Sequence, residues 1–323
     1  MASEPRFSIV VPTYNYAHYL DVALRSALEQ GRADLEVIVI DDGSTDATSD
    51  VVAQYDEVRY VRLPKNRGPG GAWAEGLRVA QGDYVAKLDA DDWLLPTWFE
   101  AIDEGFEDDR VGAVIGSSVV WLEDAEASFV EKVTSEASTI TPEDFRRRLL
   151  LEFFFRMPSV CLRRSILDGH DPPRFDLRLP HDWEYLLRVT RSWAARLLPD
   201  PIGVYRLHGA SLTRTAERAE RLSNDFRVFA AAACDPSDPA FLEPKERRLL
   251  AAGIARSYLS SAIPQSGSKD LANRVRRARE LAAPLGGVRP THLVEQVGRV
   301  LRRRLSRRAA LRTGGLRLDE LVP

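Results

Sequence analysis

The first 90 residues alternate between short apolar runs and segments with helical periodicity, and this alternation limits the chain to few folds. The apolar runs cover residues 7–11, 35–40, 58–63 and 83–88. Strands that alternate with helices pair in parallel through crossover connections. Because the runs are apolar throughout, we expect strands that are covered on both faces. The sequence therefore predicts an α/β fold with an open, mostly parallel sheet flanked by helices.

Each predicted strand ends in a loop that carries unusual polar or aromatic residues. Tyr14, Asp42 and Arg67 follow the first three strands, and three aspartates follow the fourth. In an open α/β sheet, ligands bind beyond the carboxyl ends of the strands. We therefore expect these four loops to line one crevice.

The fourth loop, at 89–92, concentrates three carboxylates within four positions. Alternate residues of a strand point to the same side, so Asp89 and Asp91 would converge on one cation if the strand ends there. Carboxylate oxygens suit Mg²⁺ or Mn²⁺. The alternative is an acidic turn that caps a helix starting near Leu94. Lys87 precedes the turn as either a phosphate contact or a solvated side chain, and the solvated side chain is the preferred interpretation.

Beyond the acidic turn the pattern becomes less regular. It predicts strands at 111–121, 160–162, 195–198 and 202–207, helices at 98–106 and 182–192, and a hairpin or mobile loop at 122–141. After about residue 214 the composition shifts to helical segments rich in Ala, Leu and Arg. We therefore divide the chain into residues 1–214, which hold the sheet, and residues 215–323, a helical region with a basic tail.

The basic tail places apolar residues at helical spacing between 291 and 312, with arginines on the remaining surface. Such a helix lies on anionic lipid or packs on the protein with a solvated basic face, and we prefer the second interpretation. Net charge is -3, which gives no global attraction to nucleic acid. The two distant cysteines predict neither a disulfide framework nor a zinc site. With no signal peptide or membrane-length apolar run evident, we expect a cytoplasmic protein, at most peripheral on the inner face of the membrane.

An ordered set of motifs through residues 6–213 resembles family 2 glycosyltransferases. The motifs are Ser-Ile-Val-Val-Pro-Thr-Tyr-Asn at 8–15, Asp-Asp-Gly-Ser-Thr-Asp at 41–46, Asn-Arg-Gly at 66–68, Asp-Ala-Asp-Asp at 89–92, Phe-Asp at 175–176, His-Asp-Trp at 181–183 and Tyr-Arg-Leu-His-Gly at 205–209. The resemblance implies a Rossmann-like GT-A fold. It also implies transfer of a sugar from a nucleotide sugar, with inversion at the anomeric carbon.

The resemblance implies a nucleotide-sugar site of Pro12, Thr13, Tyr14, Asn15, Asp42, Arg67, Asp89, Ala90 and Asp91. Tyr14 would stack on the base, Asp42 would accept a base N–H, and Arg67 would contact the base or the phosphates. The alternatives are simple packing for Tyr14 and a turn-forming role for Asp42.

The resemblance also implies a metal site of Asp91, Asp92 and His208 that holds Mn²⁺ or Mg²⁺. The family's DxD motif falls on Asp89 and Asp91, and in some relatives the position of Asp92 holds the metal. A divalent ion neutralises the charge that grows on a departing diphosphate.

Asp182 is implied as the catalytic base, because an inverting transfer needs a carboxylate that deprotonates the acceptor hydroxyl. The family usually carries an acidic residue just before this position, and His181 replaces it here. The alternative for Asp182 is a helix N-cap.

The implied partners are a UDP-, GDP- or dTDP-sugar donor and a glycan or lipid-linked acceptor, without nucleic acid, and the sequence is compatible with an oligomer. Two other classes remain open. Gly68-Pro69-Gly70-Gly71 after a strand suggests an NAD-dependent oxidoreductase. A non-catalytic nucleotide-sugar binding module would keep the nucleotide site and lack a base.

Overall fold

A computed structural model of the protein describes residues 4–209, 211, 218–262 and 268–288. The strands are β1 (Phe7–Thr13), β2 (Leu35–Asp41), β3 (Val58–Arg62), β4 (Tyr84–Lys87), β5 (Trp93–Leu94), β6 (Val111–Leu122), β7 (Ala127–Glu131), β8 (Ser138–Ile140), β9 (Val160–Arg163) and β10 (Ala194–Leu207). The helices are α1 (Ala17–Leu28), α2 (Thr48–Val52), α3 (Gly68–Val79), α4 (Trp98–Gly105), α5 (Pro142–Leu151), α6 (His181–Val189), α7 (Arg218–Cys234), α8 (Pro244–Ala262) and α9 (Ser268–Ala282).

The strands form one open sheet in the order β3-β2-β1-β4-β9-β6-β10-β5, with β7 beside β6 and β8 beside β10. Strands β1 to β4 are parallel to one another, and β10 is parallel to β6. Strand β9 runs antiparallel to both β4 and β6. The predicted α/β architecture with an open sheet flanked by helices is confirmed, and its second half is mixed in direction.

The two faces of the sheet are covered by different helices. Phe7, Ile9 and Val11 pack in one cluster with residues of α1 and α4, while Val10 packs on the opposite face with Trp73 of α3. This division follows from the two-residue period of a strand. The expectation of strands covered on both faces is therefore confirmed.

The structure defines three segments more closely than the sequence pattern does. Helix α3 begins at Gly68, where a positive φ of 79° and a proline in the first turn start it. The two short strands expected at 195–198 and 202–207 are one strand, β10, whose register shifts around Pro201. The polar segment at 122–141 contains the predicted hairpin, because β7 pairs antiparallel with β6.

The helices after residue 217 share a hydrophobic core with α5 and α6. The Trp183 ring of α6 lies 6.0 Å from Phe226 and 5.9 Å from Phe229 of α7. The division of the chain after residue 214 stays a prediction, and the basic tail at 291–312 lies outside the described residues. No helix within the described ranges is long and apolar enough to cross a membrane.

Candidate active site

The end of β1 is hydrogen-bonded to the loop that follows β2. Pro12 and Thr13 are its last residues and are buried, and the Asp42 N–H donates to the Thr13 carbonyl oxygen at 2.9 Å. The next residue, Tyr14, is 44% exposed. Tyr14 is thus not packed in the core, and its ring is accessible to a planar ligand.

The loops after β1 and β2 are joined by hydrogen bonds through Asn15. This residue has a left-handed backbone (φ 58°), which its short polar side chain tolerates. Its N–H donates to the Ser44 hydroxyl at 2.9 Å, and its side-chain oxygen accepts from the Thr45 N–H at 2.7 Å. Asn15 therefore sets the spacing between the two loops.

Asp42 joins the loop after β2 to the loop after β3. Its two carboxylate oxygens accept from the backbone N–H groups of Arg67 at 2.7 Å and Gly68 at 2.8 Å. The local turn is instead closed by Asp41, which accepts from the Ser44 N–H at 2.7 Å. The turn-forming alternative for Asp42 is therefore wrong, because its partners lie in a different loop. Burial raises the pKa of Asp42, although the two backbone donors act in the opposite direction.

Arg67 and the glycines after it face the segment that precedes α6. The Arg67 guanidinium lies 4.8 Å from the centre of the Phe175 ring, which is 49% exposed. A Cβ on Gly70 would lie only 2.5 Å from the Arg174 carbonyl oxygen and 3.5 Å from the Cβ of His181. Gly70 is thus required for the close packing of α3 against this segment, and the glycine pattern has a structural cause.

The acidic turn at 89–92 follows β4 and does not cap a helix. The Asp92 N–H donates to the Asp89 carbonyl oxygen at 2.9 Å, and the chain continues into β5. The next helix begins only at Trp98, so the helix-cap interpretation is wrong. Because β4 ends at Lys87, the side chains of Asp89 and Asp91 do not follow strand alternation, and they have different partners. Ala90, between them, is buried.

Lys87 is buried, with only 2% of its side chain exposed, so the interpretation as a solvated side chain is wrong. Its ammonium lies 2.9 Å from Asp89 Oδ1 and 3.0 Å from Asp182 Oδ2. A buried ammonium is stable only where carboxylates compensate its lost hydration. The sequence alone does not indicate that Lys87 is buried, because one of its two partners, Asp182, lies 95 positions away in the chain.

Asp91 contacts His208, and the distance between Asp91 Oδ2 and His208 Nε2 is 3.0 Å. Asp92 is almost fully buried. Its Oδ1 accepts from the Arg206 N–H at 2.9 Å, and its Oδ2 has no hydrogen-bond partner among the described residues. Burial, then the charges of Asp91 and Asp89, raise the pKa of Asp92 well above its usual range.

Three further side chains support the acidic turn and were not identified as site residues from the sequence. The Arg206 Nε–H donates to the Asp91 carbonyl oxygen at 2.9 Å, and its guanidinium pairs with Glu123 at 2.9 Å. The Tyr19 hydroxyl donates to the other oxygen of Glu123 at 2.7 Å. Arg206 lies within a quoted motif, whereas Glu123 follows β6 in a segment without a recognisable pattern.

Asp182 lies in the first turn of α6 beside His181, and Pro180 occupies the N-cap position. The N-cap interpretation of Asp182 is therefore wrong. Its Oδ2 contacts Lys87, while its Oδ1 lies 3.1 Å from His181 Nε2 without the alignment of a hydrogen bond. Burial would raise the pKa of Asp182, but His181 and Lys87 outweigh burial and hold this pKa well below its usual range.

Solved glycosyltransferase structures share this arrangement of sheet and helices. S. aureus TarS 1–349 in complex with UDP-GlcNAc has a TM-score of 0.63 and 19% sequence identity over 86% of this chain and 81% of TarS 1–349. The mannosyltransferase PcManGT from Pyrobaculum calidifontis, in complex with GDP-Man and Mn²⁺, has a TM-score of 0.54 and 20% identity over 93% of this chain and 88% of PcManGT. The protein therefore has the GT-A fold of glycosyltransferases.

Sequence similarity to known proteins identifies the protein family to which this chain belongs. The model of Glycosyl transferase family 2 matches residues 8–169. The succinoglycan biosynthesis protein ExoO of Rhizobium meliloti is 30% identical over 301 residues, which cover 85% of this chain and 81% of ExoO. An uncharacterized glycosyltransferase of Nostoc sp. is 31% identical over 229 residues, or 66% of this chain and 68% of the relative. The chain belongs to glycosyl transferase family 2 and is a glycosyltransferase, so the oxidoreductase and the non-catalytic module are both wrong.

Proposed function

We propose that the protein transfers a sugar from a nucleotide-diphosphate sugar to an acceptor hydroxyl with inversion, and that Asp182 is the general base. The observation that carries this proposal is the position and charge of the Asp182 carboxylate. Lys87 contacts its Oδ2 at 3.0 Å, His181 Nε2 lies 3.1 Å from its Oδ1, and these two groups hold the pKa of Asp182 well below its usual range. A carboxylate that is ionised at neutral pH can accept a proton from a hydroxyl.

In the proposed reaction, the acceptor hydroxyl attacks the anomeric carbon on the face opposite the diphosphate. The Asp182 carboxylate takes the hydroxyl proton while the new carbon–oxygen bond forms. The bond between the anomeric carbon and the diphosphate oxygen breaks, and its electron pair leaves on the diphosphate. Because a single displacement occurs, the configuration at the anomeric carbon inverts.

The donor nucleotide would lie against the joined loops after the first three strands. The exposed Tyr14 ring supports stacking on the base. Each Asp42 oxygen accepts one loop N–H and keeps a second lone pair for a base N–H. Arg67, held beside Phe175, supplies a cation at the same end of α3. UDP-GlcNAc in TarS and GDP-Man in PcManGT support a donor of this class.

The residues around the acidic turn fit a divalent ion that the donor helps to bind. Neighbouring ligands of an octahedral ion with bonds of about 2.1 Å lie about 3 Å apart, as Asp91 Oδ2 and His208 Nε2 do here. Asp92 Oδ2 has no hydrogen-bond partner among the described residues and belongs to the next residue along the turn. It does not complete a site with Asp91 and His208 as they stand, because no group of three or more His, Cys, Asp and Glu side chains within the described ranges is arranged to hold a metal ion. Phosphate oxygens would therefore complete the coordination, and Mn²⁺ in PcManGT supports this assignment.

A divalent ion held there would neutralise the charge that develops on the departing diphosphate. The chain's own contribution is to keep the carboxylates of the turn in place and to bring Asp182 to the opposite side of Lys87. We assign the ion as Mn²⁺ or Mg²⁺, since carboxylate and phosphate oxygens suit both.

For the acceptor, we propose a hydroxyl of a polysaccharide or lipid-linked glycan, which the similarity to a succinoglycan biosynthesis protein supports. A cytoplasmic location stays a prediction. So does contact with a membrane surface, which depends on residues outside the described ranges.

A thermal-shift panel of UDP-, GDP- and dTDP-sugars, each with Mn²⁺, Mg²⁺ or EDTA, tests this proposal. We expect one nucleotide sugar to raise Tm in the presence of metal, because a ligand at 100 times its Kd adds about 2.7 kcal/mol to the free energy of unfolding. EDTA should reduce the rise. The absence of a shift with every donor contradicts the donor assignment, and a shift that EDTA does not change contradicts the role of the metal.

A further inference from the structure

Lys87 ends β4 at the point where the acidic turn and α6 approach each other. Its ammonium contacts Asp89 on the turn and Asp182 on α6, and both contacts are within 3.0 Å. The side chain is only 2% exposed, so water does not screen these contacts strongly. Lys87 is therefore the direct link between the acidic turn and the proposed base.

The charged groups around Asp182 come from three elements. Lys87 and Asp89 belong to β4 and its turn, His181 belongs to α6, and Asp225 of α7 acts on His181. Burial would lower the pKa of Lys87, but Asp182 and Asp89 outweigh it and raise this pKa above its usual value. Lys87 is thus charged at neutral pH.

We propose that Lys87 is a positioning residue for sugar transfer, which holds the Asp182 carboxylate against the acidic turn and keeps this carboxylate ionised. This inference rests on the proposed role of Asp182 as the base. No motif identified in the sequence assigns a role to Lys87 in proton transfer.

Loss of the ammonium would leave Asp89 and Asp182 as neighbouring carboxylates in a buried site. Without its contact to the ammonium, and with the Asp89 carboxylate nearby, Asp182 would take up a proton at higher pH. A protonated Asp182 cannot accept the proton of the acceptor. An enzyme without the Lys87 ammonium should therefore lose activity at a higher pH than the wild type when the solution is acidified.

The test is the pH profile of kcat/KM for Lys87→Met and Lys87→Arg. An opposite charge in contact lowers the pKa of a carboxylate by about 1–3 units. We therefore expect the acidic limb of K87M to move upward by about 1–3 pH units and that of K87R to stay close to the wild type. Arg110→Gln, which removes a cation from an exposed ion pair with Asp108, is the matched control and should leave the profile unchanged. An unmoved acidic limb in K87M, with activity reduced equally at all pH values, overturns the proposal.

A second measurement does not depend on the folding of K87M. Infrared difference spectra between the wild type and Asp182→Asn isolate the Asp182 carboxyl band. We expect the ionised band in the wild type to persist below pH of about 4, the ordinary pKa of aspartate. A protonated carboxyl band at neutral pH overturns the proposal.

Asp182→Asn also separates this inference from the proposed function. If D182N keeps full transfer activity, the base assignment fails whatever Lys87 does. If D182N is inactive and the acidic limb of K87M does not move, the base assignment stands and the role of Lys87 fails.

Discussion

Asp182 is a buried carboxylate between two basic side chains. Lys87 contacts one of its oxygens at 3.0 Å, and His181 Nε2 lies 3.1 Å from the other. Replacement by asparagine would keep the shape of the side chain but remove both the negative charge and the proton acceptor. The replacement should therefore slow the chemical step without weakening nucleotide binding, because none of the loops proposed to bind the nucleotide contains this residue.

We predict that Asp182→Asn lowers kcat by about 10²–10⁴-fold, the usual contribution of a general base. Donor binding, measured by thermal shift, should be retained. Asp108→Asn is the matched control, because Asp108 forms an exposed ion pair with Arg110. A D182N enzyme with wild-type kcat contradicts the assignment.

Arg206 is the second residue whose contacts define the site. Its backbone N–H holds Asp92, its Nε–H holds the carbonyl of Asp91, and its guanidinium pairs with Glu123. Lysine would keep the charge and the backbone bond but lose the planar fork that makes the other contacts.

We predict that Arg206→Lys weakens Mn²⁺ binding by about tenfold, because residues that orient metal ligands typically contribute 10–100-fold to affinity. Electron paramagnetic resonance of free Mn²⁺, with the donor nucleotide present, measures this effect. Arg196→Lys, on β10 away from the turn, should bind Mn²⁺ as the wild type does. Equal Mn²⁺ affinity in R206K and wild type contradicts this role.

At the scale of elements, α7 supports the segment that leads into α6. The Asp225 carboxylate accepts from the Leu179 N–H at 3.0 Å, three residues before Asp182. Nearby, Arg174 pairs with Asp238 at 2.8 Å. These contacts fix the start of α6, and with it the position of the proposed base.

We predict that Asp225→Ala costs about 1–3 kcal/mol in the free energy of unfolding, because it leaves the Leu179 N–H without its acceptor. It should also lower kcat by displacing α6. Asp225→Asn keeps an acceptor oxygen and should stay closer to the wild type in both respects. Denaturant unfolding and transfer assays compare the two, and equal stability of the two variants would show that this hydrogen bond is not what matters.

At the scale of the whole molecule, the helices after residue 217 complete a core that begins in α5 and α6. Trp183 is 3% exposed, and its ring faces Phe226 and Phe229. Removal of these helices would expose a large apolar surface on the side of the sheet that carries Asp182. Such surfaces promote aggregation.

We predict that a chain ended after Arg214 loses transfer activity and aggregates or melts at a much lower temperature than the full chain. Thermal unfolding and size-exclusion chromatography measure this outcome. A chain ended after residue 288 is the control and should keep the fold. A monomeric, active 1–214 chain would show that the first region folds independently.

The parts of the molecule that could be predicted from the sequence have local signals. Apolar runs mark β1 to β4, and Tyr14 and Asp42 lie directly after two of them. The direction of β9 and the surroundings of Lys87 have no such signal. Lys87 and Asp182 are 95 positions apart, and Arg206 and Glu123 are 83 apart, so only the folded chain brings each pair together.

The hydrogen bonds that join the loops after β1, β2 and β3 have a thermodynamic consequence for the proposed donor. Asn15 and Asp42 connect these loops through hydrogen bonds between groups of the chain itself, and these bonds require no group of a nucleotide. A pocket organised before binding spares the ligand the entropy of ordering it. Calorimetric titration with the donor should then show a heat-capacity change set by burial of the nucleotide alone, without a contribution from loop folding.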